Sequence, residues 1–366
     1  MRKFIAGTAA GLIALSLAAC SGGTAASSGN GEAVDVAKYQ TAAEQAMNPE
    51  SVWKGPATGP AAKAGAKVMF ISCGFAAEGC KGPADAAREA GTAIGWDVTV
   101  VDGKFDPQIY SRSISQAIDQ KYDAIILNAI SADAVAEPLK AARAAGIVVG
   151  SWDGANKPSD TGVSFEVDEP LEQQGINMAN YMIWKTGGKA NVSLLNAPEF
   201  NVVNTWVTAA KKTFEECGTC TIAKDDQFVS SDAATRIPTL ISSNLRQNPN
   251  INVVIGGYDA ALISAVPTLT PTPEKPVMIG GFNGISAMLQ FIRDGKASAT
   301  SAVAIKWGTW AAFDNVNRLL QDQPIVEQKI PTRLITTENV KDITPGSQWD
   351  GDADYKSTFK TIWAGK

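Results

Sequence analysis

The chain has 366 residues, 45% of them apolar and 19% charged, and it contains no histidine. That length allows two compact domains with large cores. The missing imidazole excludes Ser-His-Asp and Cys-His nucleophile pairs, zinc sites with histidine ligands, and a histidine switch near neutral pH. The formal charge of −5, from 32 basic and 37 acidic residues, argues against a nucleic-acid surface.

Arg2 and Lys3 precede an apolar run over residues 4–19, too short for a membrane span and flanked as a signal peptide is. It ends Leu17-Ala18-Ala19-Cys20, which resembles a bacterial lipoprotein lipobox. The resemblance implies cleavage before Cys20 and lipid on its sulfur, a tether to the cell membrane rather than an integral segment. Residues 1–19 are therefore expected to be the signal peptide, and residues 20–64 the lipidated cysteine with a tether and connector. Residues 21–33, rich in Ser, Gly and Ala, cannot bury a core. The spacing predicts a short helix over 34–47, closed by Asn48-Pro49, and Trp53-Lys54-Gly55-Pro56 reads as an extended connector.

Setting Cys20 aside leaves Cys73, Cys80, Cys217 and Cys220, an even number that suits an oxidising compartment. Sequence proximity favours Cys73–Cys80 and Cys217–Cys220, although four cysteines allow three pairings. The rival reading of Cys217-Gly-Thr-Cys220 is a redox motif, which needs its first cysteine at a helix N-terminus. Cys217 instead follows Lys211-Lys212-Thr213-Phe214-Glu215-Glu216, which reads as a helix end, so a structural staple is expected.

From Lys67 the pattern becomes regular. Val68-Met69-Phe70-Ile71, Val98-Thr99-Val100-Val101, Ala124-Ile125-Ile126-Leu127 and Ile147-Val148-Val149 read as strands. Helical spacing separates them over 84–94, 111–120 and a segment ending at Ala145, with Pro138 early in the last. The alternation then repeats. Strands are predicted at Val192-Ser193-Leu194-Leu195, 222–228, Val253-Val254-Ile255, Val277-Met278-Ile279 and 298–303. Helices are predicted over 171–184, 203–216, 233–246, 260–266 and 285–293, and the apolar tail 342–366 predicts a docked terminal helix. Continuous aliphatic strands between helices mean parallel sheets covered on both faces. The fold class expected is α/β, two doubly wound parallel-sheet lobes of similar size. Ligands bind such sheets at the carboxyl ends of the strands, which points to loops 72–80, 128–133, 151–156, 196–204, 256–260 and 280–284.

Several segments resemble the type I periplasmic solute-binding proteins of ABC importers, the ribose-binding-like group. They include Ile71-Ser72-Cys73-Gly74-Phe75, Ile125-Ile126-Leu127-Asn128, Ala144-Ala145-Gly146-Ile147-Val148-Val149, Ser151-Trp152-Asp153-Gly154 and Ile279-Gly280-Gly281-Phe282-Asn283-Gly284. Ile292-Arg293-Asp294-Gly295-Lys296-Ala297 and Leu334-Ile335-Thr336-Thr337-Glu338-Asn339-Val340 follow in the same order. The resemblance spans about residues 65–341 and implies two lobes joined by a hinge of three crossing strands, with crossovers near Val167-Asp168, Val303-Ala304 and Glu327-Gln328. The N-terminal lobe would be 65–168 with 304–327, and the C-terminal lobe 169–303 with 328–341. Ligand would bind between the lobes and stabilise their closed form, which an importer permease then recognises.

The resemblance also implies a site. Asp153 stands in the Asp-Arg pair of sugar binders, but Gly154 replaces the arginine. Phe282-Asn283 falls on a Phe-Asp pair, keeping the stacking ring and turning the acid into an amide. Phe75, Asn128, Trp152, Asn204, Tyr258 and Asp259 complete the expected ligand contacts, and Val303 replaces a hinge glutamine. Charged groups are lost throughout. A sugar or polyol is expected as ligand, with an aromatic or amphipathic small molecule as the alternative. No catalytic spacing, phosphate-cradling glycine loop, metal or cofactor is expected, so the chain reads as a monomeric binding protein and not an enzyme. A role as ligand-sensing partner of a membrane receptor is the alternative to transport. A cleft without histidine predicts binding nearly flat between about pH 6 and 8.

Overall fold

The computed structural model describes residues 35–49, 52–269 and 277–365. The expected signal peptide, Cys20 and the Ser/Gly/Ala tether lie outside these residues. No described helix is long and apolar enough to cross a membrane.

In chain order the first half runs α1 (Val36–Met47), β1 (Lys67–Ser72), α2 (Glu78–Ile94), β2 (Asp97–Asp102), α3 (Pro107–Asp119), β3 (Ala124–Asn128), α4 (Ala136–Ala144), β4 (Val148–Trp152) and β5 (Phe165–Val167). The second half runs α5 (Leu171–Lys185), β6 (Asn191–Asn196), α6 (Asn201–Glu216), β7 (Thr221–Gln227), α7 (Ala233–Gln247), β8 (Val253–Ile255), α8 (Asp259–Leu262), β9 (Met278–Asn283), α9 (Ser286–Arg293) and β10 (Ala299–Val303). The chain ends with α10 (Ile305–Leu319), β11 (Thr332–Thr336) and α11 (Tyr355–Trp363).

Two sheets result, in the orders β2-β1-β3-β4-β5 and β11-β10-β9-β8-β6-β7. Strand alternation sends Met69 and Ile71 to one face of the first sheet, with Ile114, Ile125, Leu127 and Leu139. Val68 and Phe70 go to the other, with Ala84, Ala87 and Trp152. Both faces are covered, which is why these strands read as unbroken aliphatic runs. All described pairings are parallel except β10 with β11, which is antiparallel. The chain crosses between sheets three times: after β5 into α5, after β10 into α10 (which packs on α2 and β4), and back into β11.

One helix starts earlier than the spacing predicts. α2 begins at Glu78, six residues before Ala84, and contains Pro83. Pro83 is the sixth residue of the helix, so the bond an amide there would donate to the Gly79 carbonyl is missing. The Cys73–Cys80 disulfide, with Cα atoms 5.7 Å apart, ties this opening turn to the end of β1. Cys217 bonds Cys220 (Cα atoms 5.6 Å apart) at the C-terminal cap of α6, so neither sulfur has the helix N-terminal setting that activates a thiol.

The connector is docked rather than extended into solvent. α1 packs on α5 and β11, and its last carbonyl, that of Met47, accepts from Arg333 Nε at 2.9 Å and Asn339 Nδ2 at 3.0 Å. Further on, Trp53 stacks on Trp307 with ring centroids 5.0 Å apart, and Arg318 Nη2 donates to the Thr58 carbonyl at 2.8 Å. Ala62 N donates to the carbonyl of Trp363 in the tail helix at 2.9 Å. The segment thus touches elements of both sheets, and it joins α11 in an aromatic cluster with Trp307, Trp310, Tyr355, Phe359 and Trp363.

Candidate functional site

The carboxyl ends of both sheets face one cleft. The first sheet contributes Phe105 after β2, Ala129 after β3 and Asp153 after β4. The second contributes Phe200, Val202 and Val203 after β6, Tyr258 after β8, and Phe282 and Asn283 at the end of β9. This is where the topology of open α/β sheets puts ligands. Centres of water-sized spheres can occupy about 30 Å³ of the cleft. That is room on the order of two water molecules.

The backbone is bent into unusual geometry here. Phe105, Ala129, Asp153 and Asn283 have φ of 57°, 51°, 57° and 104° although none is glycine. Left-handed conformations of such residues carry a cost and collect at ligand sites. Each residue stands at or just beyond a strand end, where the reversal turns it toward the cleft.

The walls are aromatic. Phe105 of the first lobe meets Phe200 of the second edge-on, at 6.3 Å between centroids and 77°. Phe200 in turn meets Tyr258 edge-on at 5.9 Å, and Phe282 is braced by Trp206 at 5.8 Å. Tyr258 donates its hydroxyl to Ser230 Oγ at 2.9 Å, and burial pushes its pKa up to about 12. The lining side chains that hydrogen-bond freely are Asp153, Asn283 and Tyr258, and no basic side chain is among the lining residues.

Asp153 belongs to a buried acidic cluster. Its carboxyl lies beside that of Glu169, and the buried Asp153 Oδ1 and Glu169 Oε1 have no other hydrogen-bond partner among the described residues. Burial, with the charge of Glu169 second, raises the Asp153 pKa well above the usual carboxylate range. Burial likewise raises Glu169 to about 7, against the hydrogen bond from Gln174 Nε2 at 2.7 Å. Glu166 accepts from Gly154 N at 2.9 Å and Asn156 N at 3.2 Å, and is also raised to about 7 by burial. Gly154 itself is closely packed: a Cβ there would stand 2.3 Å from Asn156 Nδ2. The arginine that the resemblance places at this position could not enter without moving that loop.

Four of the nine expected ligand residues line the cleft: Asp153, Tyr258, Phe282 and Asn283. The other five sit elsewhere. Trp152 is fully buried in the core, with Nε1 donating to the Ile305 carbonyl at 3.0 Å and its ring against Gly308 of α10. Strand alternation explains this, since Trp152 shares a face with Gly150 toward α10. Asp259 is also fully buried and its oxygens are used within the lobe, accepting from Gly284 N at 2.7 Å, Ile285 N at 3.1 Å and Thr300 Oγ1. Burial raises its pKa to about 7. Asn204 is exposed, accepts from Asn196 Nδ2 at 2.9 Å, and lines a separate crevice with Asp133 and Asn156. Phe75 is half-buried beneath the Arg88 guanidinium. Asn128 lies one residue before the lining Ala129, fully buried, with neither side-chain atom paired to protein.

Sequence reasoning passed over Phe105 and Phe200. Both sit in loops, where no periodicity marks a side chain. Phe200 does fall in the 196–204 loop that the topology rule singled out, whereas the loop after β2 was not among those flagged.

The family described as periplasmic binding protein domain matches residues 69–324, more than half of the chain. The chain belongs to this family. Among curated relatives of this periplasmic binding protein domain is the ribose import binding protein of Bacillus subtilis (strain 168), 26% identical over 214 residues. The aligned part covers 57% of this chain and 66% of that relative. Solved structures of the same fold include an ABC sugar transporter subunit from Rhodobacter sphaeroides 2.4.1, with TM-score 0.69 and 21% identity over 75% of this chain and 99% of the other. Another is an ABC transporter solute-binding protein from Agrobacterium vitis with bound allitol, with TM-score 0.71 and 18% identity over 77% and 98%. A third, from Bacillus halodurans C-125 with bound myo-inositol, gives 0.67 and 17% over 77% and 97%. These neighbours are matched almost whole by about three quarters of this chain. The docked connector and the tail helix lie outside the 69–324 match.

Proposed function

We propose that the protein captures a small neutral ring or polyol, a monosaccharide-type ligand, between its lobes and delivers it to an ABC import permease. The observation that carries this is the cleft lining: aromatic faces from both lobes, a carboxyl and an amide, and no cation. Aromatic rings cover the apolar faces of a sugar, while Asp153 and Asn283 exchange hydrogen bonds with its hydroxyls. The relatives named above, whose descriptions speak of ribose, sugar transport, allitol and myo-inositol, support the same class. The lack of a basic group disfavours uronates and sugar phosphates, whose charge would face a buried acid cluster.

In this reading the N-terminal lobe is 65–168 with 304–327, and the C-terminal lobe is 169–303 with 328–341. Cys20 carries lipid and holds the protein on the outer side of the cell membrane. Mass spectrometry of the membrane-bound protein should show an acylated N-terminal Cys20, and Cys20→Ser should release it.

A thermal-shift panel tests the ligand class, because a ligand that binds only the folded cleft raises the melting temperature by mass action. Neutral monosaccharides and polyols are expected to shift it, and their uronate and phosphate counterparts are not. The preponderance of aromatic over polar lining favours a second reading, an aromatic or amphipathic single-ring compound. A shift by aromatic compounds alone would establish that reading and end the first.

A further inference from the structure

Helix α9 begins at the cleft rim with no cap from its own N-cap residue, Ile285. Its first amides are nonetheless satisfied. Gly284 N and Ile285 N donate to the buried Asp259 of the same lobe. The next amide, Ser286 N, donates at 3.0 Å to Glu78 Oε1, and Ser286 Oγ donates at 2.8 Å to Glu78 Oε2. Glu78 is 208 positions away, the first residue of α2 in the other lobe. Both of its oxygens are therefore spent on one residue across the cleft. A carboxylate at a helix N-terminus satisfies free amides and meets the positive end of the helix dipole.

The geometry around Glu78 is fixed from both sides. Glu78 lies inside the loop closed by the Cys73–Cys80 disulfide, and Ser72 Oγ donates to the Cys80 carbonyl at 2.9 Å. The next residue, Gly79, packs against the side chain of Asn283, so the contact continues directly into the cleft lining. Opening the hinge would part Glu78 from Ser286 and leave the first amide of α9 to water.

We propose that Glu78 is a closure latch: a helix cap supplied across the cleft, which favours the closed arrangement of the lobes and so strengthens binding of every ligand by the same factor. This rests on the reading that ligand is held by lobe closure. The physics is a population shift. When only a fraction of molecules is closed, apparent affinity falls by that fraction for all ligands alike, because the latch touches Ser286 and not the ligand.

Small-angle scattering on the purified protein without added ligand tests this independently of what the ligand is. The Glu78→Ala variant is expected to have a larger radius of gyration than wild type, as the closed-to-open ratio falls about tenfold, the scale of a charge-assisted hydrogen bond. Ser286→Ala keeps the amide contact and should give a smaller increase in the same direction. Adding it to Glu78→Ala should add little. An unchanged radius in Glu78→Ala, with far-ultraviolet circular dichroism showing it folded, overturns the latch. Should that variant not fold, Glu78→Gln and Ser286→Ala carry the same measurement, and no increase in either overturns it.

For the panel compounds that bind, Glu78→Ala should weaken each by one common factor. Factors that differ between compounds would mean Glu78 touches ligand, and also overturn the proposal. If no compound of the panel binds, the ligand reading fails while the scattering result on the latch stands.

Discussion

Asp153 sits just past the end of β4 with its carboxyl beside that of Glu169, and Glu166 and Asp168 lie close by. Lys54 and Lys329 line the hinge crevice on the far side of Glu169. Asp153, Glu166 and Glu169 have folded-state pKa values raised above their unfolded ones, so the folded form holds more protons between about pH 4 and 7. Their contribution to stability is present below the unfolded pKa and is lost as pH rises through about 7. Stability is therefore expected to fall as pH rises from 5 to 8, by up to about 1.4 kcal/mol per pH unit for each group, and the melting temperature with it. Glu169→Gln, which can donate to Asp153 without a titrating proton, should flatten that slope. A melting temperature that rises with pH over this range contradicts the raised pKa values of these acids. The flat pH response expected from a chain without histidine is replaced accordingly: affinity should weaken from pH 6 to 8, because ionising the pair puts two charges side by side at the closed cleft.

The same scale separates the aromatic residues. Phe105 lines the cleft and should cost at least tenfold in affinity when changed to alanine, by loss of stacking area. Asn204, in the neighbouring crevice, should cost less than twofold by titration calorimetry. The reverse order would mean that the ligand sits in the Asn204 crevice. Four of the nine residues named from the sequence reached the cleft, because the resemblance located strand ends correctly to within a residue or two. At a strand end that margin decides everything. Trp152 and Asp153 are adjacent, yet the last residue of the strand enters the core and the left-handed residue after it turns into the cleft.

At the level of elements, aliphatic runs such as those of β1 and β3 were legible because burial on both sheet faces leaves no polar position in their centres. The three-residue β5 and the edge strand β11 carry too short or too mixed a pattern to stand out. In the connector the helix over 34–47 was legible, as α1, but its docking was not, because what orders it is distant in sequence: Trp307, Arg318, Arg333 and Asn339. Trp53→Ala should lower stability by about 2 kcal/mol in urea unfolding, as a half-buried ring leaves its stack between Trp307 and Phe359. Ligand affinity should stay within twofold, since the stack lies away from the cleft. A loss of affinity comparable to that of Phe105→Ala would instead make the connector part of the hinge that sets closure.

For the whole molecule, two covered sheets present their strand ends to each other, three chain crossings permit rotation, and contacts such as Phe105–Phe200 and Glu78–Ser286 form only when the lobes meet. The fold was readable from alternation and order of segments, and the place of the cleft from topology. The identity of its walls was not, since loop side chains are aimed by local backbone turns that leave no repeating signature. The central claim is that a single neutral ring is enclosed between Asp153 and the four aromatic side chains. The most direct test is a crystal structure with the panel compound that gives the largest thermal shift. The account predicts that compound between Phe105, Phe200, Tyr258 and Phe282, with one hydroxyl within about 3.2 Å of the Asp153 carboxyl. A compound bound in the Asn204 crevice or in the hinge crevice beside Lys54, with the cleft unaltered, would contradict it.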